Sequence, residues 1–363
     1  MAIRLYVGTY TTKLGHVDGK GEGIYLYDVD PATGRLTHRT TTPGLANPSY
    51  LALDARQRFL FAANEVKENA GQPGGAVSAF AIDPASGGLT PLNHQSTRGT
   101  DPCYLCVDRT GRCVLASNYS SGSVAAFLVG ADGRLSPLTD FVQHAAGEYN
   151  PKPPPGPHAH SVNLSPDERF ALVAELGLDA ILVYRLDVEN GKLTPNDPPS
   201  AALKRGAGPR HLAFAPNGRF AYVINEQGLS MTAFAYDATR GALREIQTLS
   251  TVPPGISGRD STADVHVHPS GRFVYGSNRG HDSIVIFAVD PTTGKLSLVG
   301  HESTRGRTPR NFAIDPSGAT LYAANQDTHS VVSFAIDAQT GRLTPTGQVT
   351  EVPSPVCLKF SVI

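Results

Sequence analysis

Apolar residues in this chain alternate with small or polar ones over short runs, and the runs come in pairs around tight turns. Leu212-Ala-Phe-Ala-Pro-Asn-Gly-Arg-Phe-Ala-Tyr-Val-Ile-Asn225 is one such pair, and Phe312-Ala-Ile-Asp-Pro-Ser-Gly-Ala-Thr-Leu-Tyr-Ala-Ala-Asn325 is another. A period of two, broken by Pro-x-Gly or Asp-x-x-Gly, is the pattern of a half-buried hairpin. An aromatic-bearing run follows after a short loop, as in Met231-Thr-Ala-Phe-Ala-Tyr236, and an Asp-x-x-x-Gly turn then leads into a last, more polar strand. No segment carries the 3.6-residue period of a long helix. The expectation is an all-β fold of four-stranded units, with strands A to D in chain order.

The unit repeats. Its turn reads Asp30-Pro-Ala-Thr-Gly34-Arg-Leu36 and recurs as Asp83 to Leu89, Asp187 to Leu193, Asp237 to Leu243, Asp290 to Leu296 and Asp337 to Leu343, with a shorter copy at Asp132-Gly-Arg-Leu135. The seven copies are 53, 46, 58, 50, 53 and 47 residues apart from Leu to Leu, a period that suits a four-stranded propeller blade. A seventh strand A, Pro355-Val-Cys-Leu-Lys-Phe360, stands alone near the C-terminus. Ile3 to Thr9, Gly23 to Tyr27 and the run from Leu36 supply the missing B, C and D at the other end of the chain. Pairing the two ends closes the ring and removes the free sheet edge. The prediction is a seven-bladed β-propeller forming one domain over residues 1–363, although 363 residues would ordinarily suggest two domains.

Composition narrows the function. Net charge is −1, with 17% charged and 40% hydrophobic residues, so there is no electrostatic reason to expect nucleic acid or an anionic membrane as partner. No apolar run approaches a membrane span and no signal peptide is visible, which points to the cytoplasm. Cys103-x-x-Cys106 has the look of a metal knuckle, but residues three apart on a strand face opposite sides and no second pair follows. The four cysteines read as small buried hydrophobes.

Aligning the repeats places chemistry on one face of the ring, where strand A begins and strand B ends. The residue after the strand A proline is Ser49, Cys103, Arg210, Arg310 or Val356, with His160 and Ala263 in the two remaining blades; the next is Tyr50, Tyr104, Ser161, His211, Asp264, Asn311 or Cys357. Strand B ends in Asn64-Glu65, Asn118-Tyr119, Glu175-Leu176, Asn225-Glu226, Asn278-Arg279 and Asn325-Gln326. The recurring Asn reads as a structural cap of the B–C turn. The charged residues do not recur: His158, His160, Arg210, His211, Glu226, Asp264, His266 and Arg279 fall in three consecutive blades, with Arg310 in the next. Packing between repeats does not require such a sector. His and Glu are the usual bases for activating water, and several Arg suit a carboxylate or phosphate. The mixture implies a small anionic substrate, against the plainer reading of surface ion pairs around a channel. His158-x-His160 and His266-x-His268 could chelate, but no third or fourth ligand is evident and no metal is expected. The stiff run Asn150 to His158 is read as a fence beside the pocket or as a long D–A connection.

These same residues carry a resemblance. Gly156-Pro-His-Ala-His-Ser161, Gly208-Pro-Arg-His211, Ser277-Asn-Arg-Gly280, Pro309-Arg-Asn-Phe312 and Asn325-Gln326, with Tyr6-Val-Gly-Thr-Tyr-Thr11 and Ala174-Glu-Leu-Gly-Leu-Asp179, resemble the bacterial 6-phosphogluconolactonase family of seven-bladed propellers along the whole chain. That family is also similar to fungal carboxymuconate-lactonising enzymes. The resemblance implies hydrolysis of 6-phosphoglucono-δ-lactone, in the pentose phosphate pathway, without a cofactor. It implies catalytic roles for His158 or His160, Arg210, Glu226 and Arg279, with His211, Asp264, His266, Arg310, Asn311 and Gln326 as substrate contacts. Two departures stand out: Pro153-Pro-Pro lies where members often carry Arg-Gln, and Glu175 replaces a common Asp. A lactonising enzyme for a carboxylated substrate and a non-catalytic binding propeller are the competing expectations. The absence of Trp and the 7% aromatic content weigh against the binding platform.

Overall fold

The computed structural model of the protein describes residues 3–69, 71–145, 155–256 and 260–362. Seven four-stranded antiparallel sheets account for the repeat. In chain order, blade 1 starts with strand A at Pro48–Leu53, blade 2 at Pro102–Val107, blade 3 at Ala159–Leu164, blade 4 at Pro209–Phe214, blade 5 at Ser261–Val267 and blade 6 at Pro309–Ile314. Blade 7 joins Pro355–Val362 as strand A to Ile3–Thr9, Gly23–Val29 and Leu36–Pro43 as B, C and D. Its seam runs in register from Ile3 opposite Val362 to Gly8 opposite Cys357. Each strand A touches the strand A of the blade before and after it, the seventh meeting the first, so the A strands form the inner wall of a closed ring. Among the described residues the helical content is a single 3-10 turn, Leu176–Leu178.

The repeated turn phrase has a packing cause. Gly133, Gly241, Gly294 and Gly341 hold positive φ, and each lies against the Phe that opens strand B of the preceding blade. A Cβ on them would come within 2.3, 2.6, 2.4 and 2.5 Å of Phe59, Phe170, Phe220 and Phe273 respectively. Only glycine satisfies both the left-handed backbone and this close approach. The leucine two residues on is buried between blades, as for Leu135, Leu296 and Leu343. Cores such as Phe273, Tyr275, Ile284, Phe312 and Phe334 pack sheet on sheet from one blade to the next.

The strand B asparagines are structural, but their partners differ from the expected turn backbone. Asn118, Asn225 and Asn278 donate to the serine that opens strand C, Ser123, Ser230 and Ser283, at 3.1, 3.0 and 3.2 Å. Asn64, Asn278 and Asn325 donate to carbonyls of the D–A connection, Ala46, Thr251 and Thr304. Asn278 makes both bonds and so ties the B–C and D–A loops together on one face of the ring.

Candidate active site

Strand A is not regular where it begins. Pro48 pairs with Asn64 and Tyr50 with Ala63, which leaves Ser49 unpaired. The same bulge leaves out Cys103, His160, Arg210 and Arg310, and related irregularities fall at Ala263–Asp264 and Val356. An extra residue breaks the strict alternation of a strand, so two successive side chains reach the axis where a regular strand would send only one. Seven bulged positions therefore converge on the centre, and the residue types placed there decide what the centre can do.

Three of them, Cys103, His160 and Arg310, line a cavity of about 230 Å³ together with His16, Glu65, Tyr119, Glu226 and Arg279. Arg210, 2% exposed, forms its wall behind Glu226. Glu226 is clamped: Arg210 Nε donates to Oε2 at 2.8 Å and Arg279 Nη2 approaches Oε1 at 3.1 Å. His160 Nε2 stands 3.9 Å from Glu226 Oε2. One residue further along strand A, the Tyr50 and Tyr104 rings stack at 4.0 Å and His211 meets Tyr104 edge-on at 5.1 Å, which fills the ring beneath the cavity.

Charge sets the protonation states. Burial alone would raise the Glu226 carboxyl, but Arg279, Arg210 and Arg310 outweigh it and hold it below the ordinary carboxylate range. Burial, with Arg210 and His211 beside it, drives His160 well below an ordinary imidazole, so it is a free base at neutral pH. Arg210 is lowered to about 10 by burial and the neighbouring arginines and remains a cation. Three arginines face two carboxylates, leaving an excess of positive charge for an anionic ligand.

Behind this wall a second network fixes the first. His211 Nδ1 meets Asp264 Oδ1 at 2.7 Å and its Nε2 lies 3.2 Å from Arg210 Nη1. Since the arginine can only donate, Nε2 accepts and Nδ1 carries the proton toward Asp264. His211 is pushed down to about 4, chiefly by burial and then by Arg210. Asp264 also binds His266 Nε2 at 2.9 Å and accepts from the Asn311 amide, whose oxygen takes the Leu358 N–H. Burial would raise Asp264, but His266 and the bond from His211 leave it well below its usual value. Arg210 is thus held from blades 4 and 5, and its Nη1 also donates to Ala263 O at 2.6 Å.

The structure brings His160, Glu226, Arg279 and Arg310 together around one cavity, with Arg210 bonded to Glu226 in its wall, and sets His211, Asp264 and Asn311 behind them. It does not bring in the others. His158 bonds the Tyr119 carbonyl through Nδ1 at 3.0 Å and stacks on the Tyr119 ring at 4.7 Å, outside the cavity lining. His266 meets Phe312 edge-on, and Gln326 turns its amide to Asp327 at 2.8 Å. His268 faces the far turn, with Nε2 on the Gly318 carbonyl, so His266 and His268 do not form a pair. Glu175 is buried, with one oxygen on His144 Nδ1 and the other on the His158 amide. Of the run Asn150 to His158, residues 150–154 lie outside the described residues. Among the described residues no group of three or more His, Cys, Asp or Glu is assembled to hold a metal.

Four lining residues escaped the sequence reading of the site, His16, Glu65, Cys103 and Tyr119, as did Tyr10 behind Glu65. Tyr10 donates to both oxygens of Glu65 at 2.9 Å, lies under the Arg310 guanidinium at 5.3 Å and meets His16 at 3.4 Å. Glu65 and Tyr119 occupy the position after the strand B Asn, as Glu226 does, and Tyr10 occupies it in blade 7 after Thr9. Extending that alignment into the N-terminal strand would have found Tyr10. His16 sits in the turn of a small hairpin, Lys13–Leu14 with Val17–Asp18, in the B–C loop of blade 7; blade 1 has a like hairpin, Glu68–Asn69 with Gln72–Pro73, but no histidine in it.

Comparison with known proteins agrees with this geometry. Residues 4–360 match the family model described as lactonase, 7-bladed beta-propeller. The chain is 38% identical over 356 residues to a 6-phosphogluconolactonase of Bacillus subtilis, spanning 98% of this chain and 97% of the relative. It is 33% identical over 316 residues to a 6-phosphogluconolactonase of Formosa agariphila, 86% of each. The crystal structure of the periplasmic gluconolactonase PpgL from Pseudomonas aeruginosa superposes with a TM-score of 0.92 at 36% identity, covering 100% of this chain and 99% of that one. With the ring, the convergent bulges and full-length relatives in agreement, the chain belongs to the seven-bladed β-propeller lactonase family of hydrolases.

Proposed function

We propose that the protein opens 6-phosphoglucono-δ-lactone to 6-phosphogluconate, a step of the pentose phosphate pathway, without a cofactor. The observation that carries the reading is Glu226, clamped by Arg210 and Arg279 and approached by His160, on a cavity of about 230 Å³ with surplus positive charge. Arg310 holds the anionic end of the substrate, and Arg279 faces the oxygen on which charge develops as water adds, while Arg210 holds Glu226 from behind. A preorganised donor of this kind contributes about 3 kcal/mol to barrier lowering.

His160 takes the proton of the attacking water. Burial and, after it, the surrounding arginines keep its basicity low, and an anionic substrate that offsets the arginines' charge raises it when it is needed. Glu226 steadies the imidazolium that forms, from 3.9 Å. Four free thiols fit a reducing cytoplasm, the compartment proposed for the reaction. No helix among the described residues is long and apolar enough to cross a membrane.

The name of the Pseudomonas relative supports a second reading, an unphosphorylated sugar lactone. Arg serves a phosphate or a neutral sugar's developing oxyanion, and the assay separates the two. Acid release is followed with 6-phosphogluconolactone and with gluconolactone, above the spontaneous rate, for wild type and Glu226→Gln. The proposal expects a higher kcat/KM on the phosphorylated lactone and a loss of about 10²–10⁴ in the variant. Equal activity of variant and wild type on both lactones would overturn it.

A further inference from the structure

Glu65 and Glu226 hold the same place in blades 1 and 4, each directly after the last Asn of strand B, and both line the cavity. Their surroundings are opposite. Glu226 touches two guanidinium groups. Glu65 is 5% exposed, takes the Tyr10 hydroxyl on both oxygens at 2.9 Å, and has its nearest cation, Arg310, at 3.9 Å. Resting on the lactonase reading, we propose that Glu65 is a second catalytic carboxyl, the acid that delivers a proton to the ring oxygen as the lactone C–O bond breaks. Burial lifts this carboxyl above its ordinary range, while Glu226 is held below it. Environments that push two carboxyl groups apart let one keep a proton to give while the other stays ionised, here beside the base His160.

The step balances. Water oxygen bonds to the carbonyl carbon and one water proton goes to His160. The C–O bond to the ring oxygen then breaks, its electron pair stays on that oxygen, and the Glu65 proton joins it to give the hydroxyl of the open acid. The new carboxyl releases its proton to solvent, and the proton on His160 returns to Glu65. One water is consumed and one proton released in each turnover. An alkoxide is a poor leaving group, so this proton matters most for an oxygen ring and little for a ring sulfur, which leaves as a thiolate.

The test compares wild type, Glu65→Gln, Glu226→Gln and Tyr10→Phe on 6-phosphogluconolactone and on its ring-sulfur analogue, with thermal melts to verify folding. Glu65→Gln is expected to lose about 10²–10⁴ in kcat on the oxygen lactone at little change in KM, with that loss largely abolished on the sulfur analogue. Glu226→Gln is expected to lose on both, and Tyr10→Phe, which keeps the carboxyl, to lose far less than Glu65→Gln. Wild-type kcat for Glu65→Gln on the oxygen lactone, or an equal loss on both substrates, would overturn the acid role and leave the lactonase reading standing. Failure of the wild type to open either lactone would instead overturn that reading, and the assignment with it.

Discussion

Blades 1 and 4 start from the same backbone and end with different chemistry. Each opens strand A with a proline, bulges at the next residue and closes strand B with Asn-Glu. In blade 4 the bulge holds Arg210, which clamps Glu226 and hands His211 to Asp264. In blade 1 it holds Ser49, and Glu65 must find its donor in Tyr10, across the chain-closing blade. One glutamate is ionised firmly and the other resists ionisation, although the sheet beneath them is equivalent. The lesson is that the ring supplies positions and the bulge residue supplies character.

The contrast can be broken most strongly at Arg210. Arg210→Ala leaves Glu226 with Arg279 alone and removes the partner of His211 Nε2. The expected loss in kcat/KM is about 10²–10³, the usual effect of deleting one preorganised donor, measured by steady-state lactone opening. Next comes Asp264, which binds His211, His266 and Asn311 at once. Asp264→Ala should lower unfolding free energy by about 3 kcal/mol in urea titrations, since hydrogen bonds to a charged group are the stronger class.

The pH dependence sharpens the same contrast. His211 titrates at about 4 when folded and at about 6.5 when unfolded, so between these values the unfolded chain binds more protons. Stability is therefore complete above about pH 6.5 and falls as pH drops toward 4, with a slope from this group of up to about 1.4 kcal/mol per pH unit. His211→Gln should flatten that slope in denaturation curves measured across the window. On the blade 1 side, Tyr10→Phe removes the hydroxyl shared between the two Glu65 oxygens and should cost about 1 kcal/mol. Far from either site, Val349 is among the exposed large hydrophobics, and Val349→Thr should shift stability by no more than about 0.5 kcal/mol.

Much of this was legible in the sequence because a ring of equal blades writes each structural need seven times. The turn glycines recur because a side chain there would strike the preceding blade, a phenylalanine in four cases, and the strand B asparagines recur because their amides hold the B–C or D–A loop. Arg210, Glu226, Arg279 and Arg310 stood out by breaking that equality. What stayed hidden depends on contacts that no repeat encodes. Glu65 and Arg310 are 245 positions apart and meet only because blade 7 is built from both chain ends. His16 arrives on a B–C hairpin whose counterpart in blade 1 carries no histidine. His158 and Gln326 carry the right chemistry in the right motifs, yet bond to neighbouring loop groups instead of facing the cavity, a choice of side-chain direction that spacing does not reveal.

The central claim is that the bulged positions form the substrate site. A crystal structure with 6-phosphogluconate bound tests it most directly. The account predicts the product in the central cavity, its carboxylate or phosphate within hydrogen-bond distance of Arg210, Arg279 or Arg310 and its chain reaching Glu65. Product seated instead in the groove near Pro216, Phe220 and Arg272, where the A–B turns lie, would contradict it.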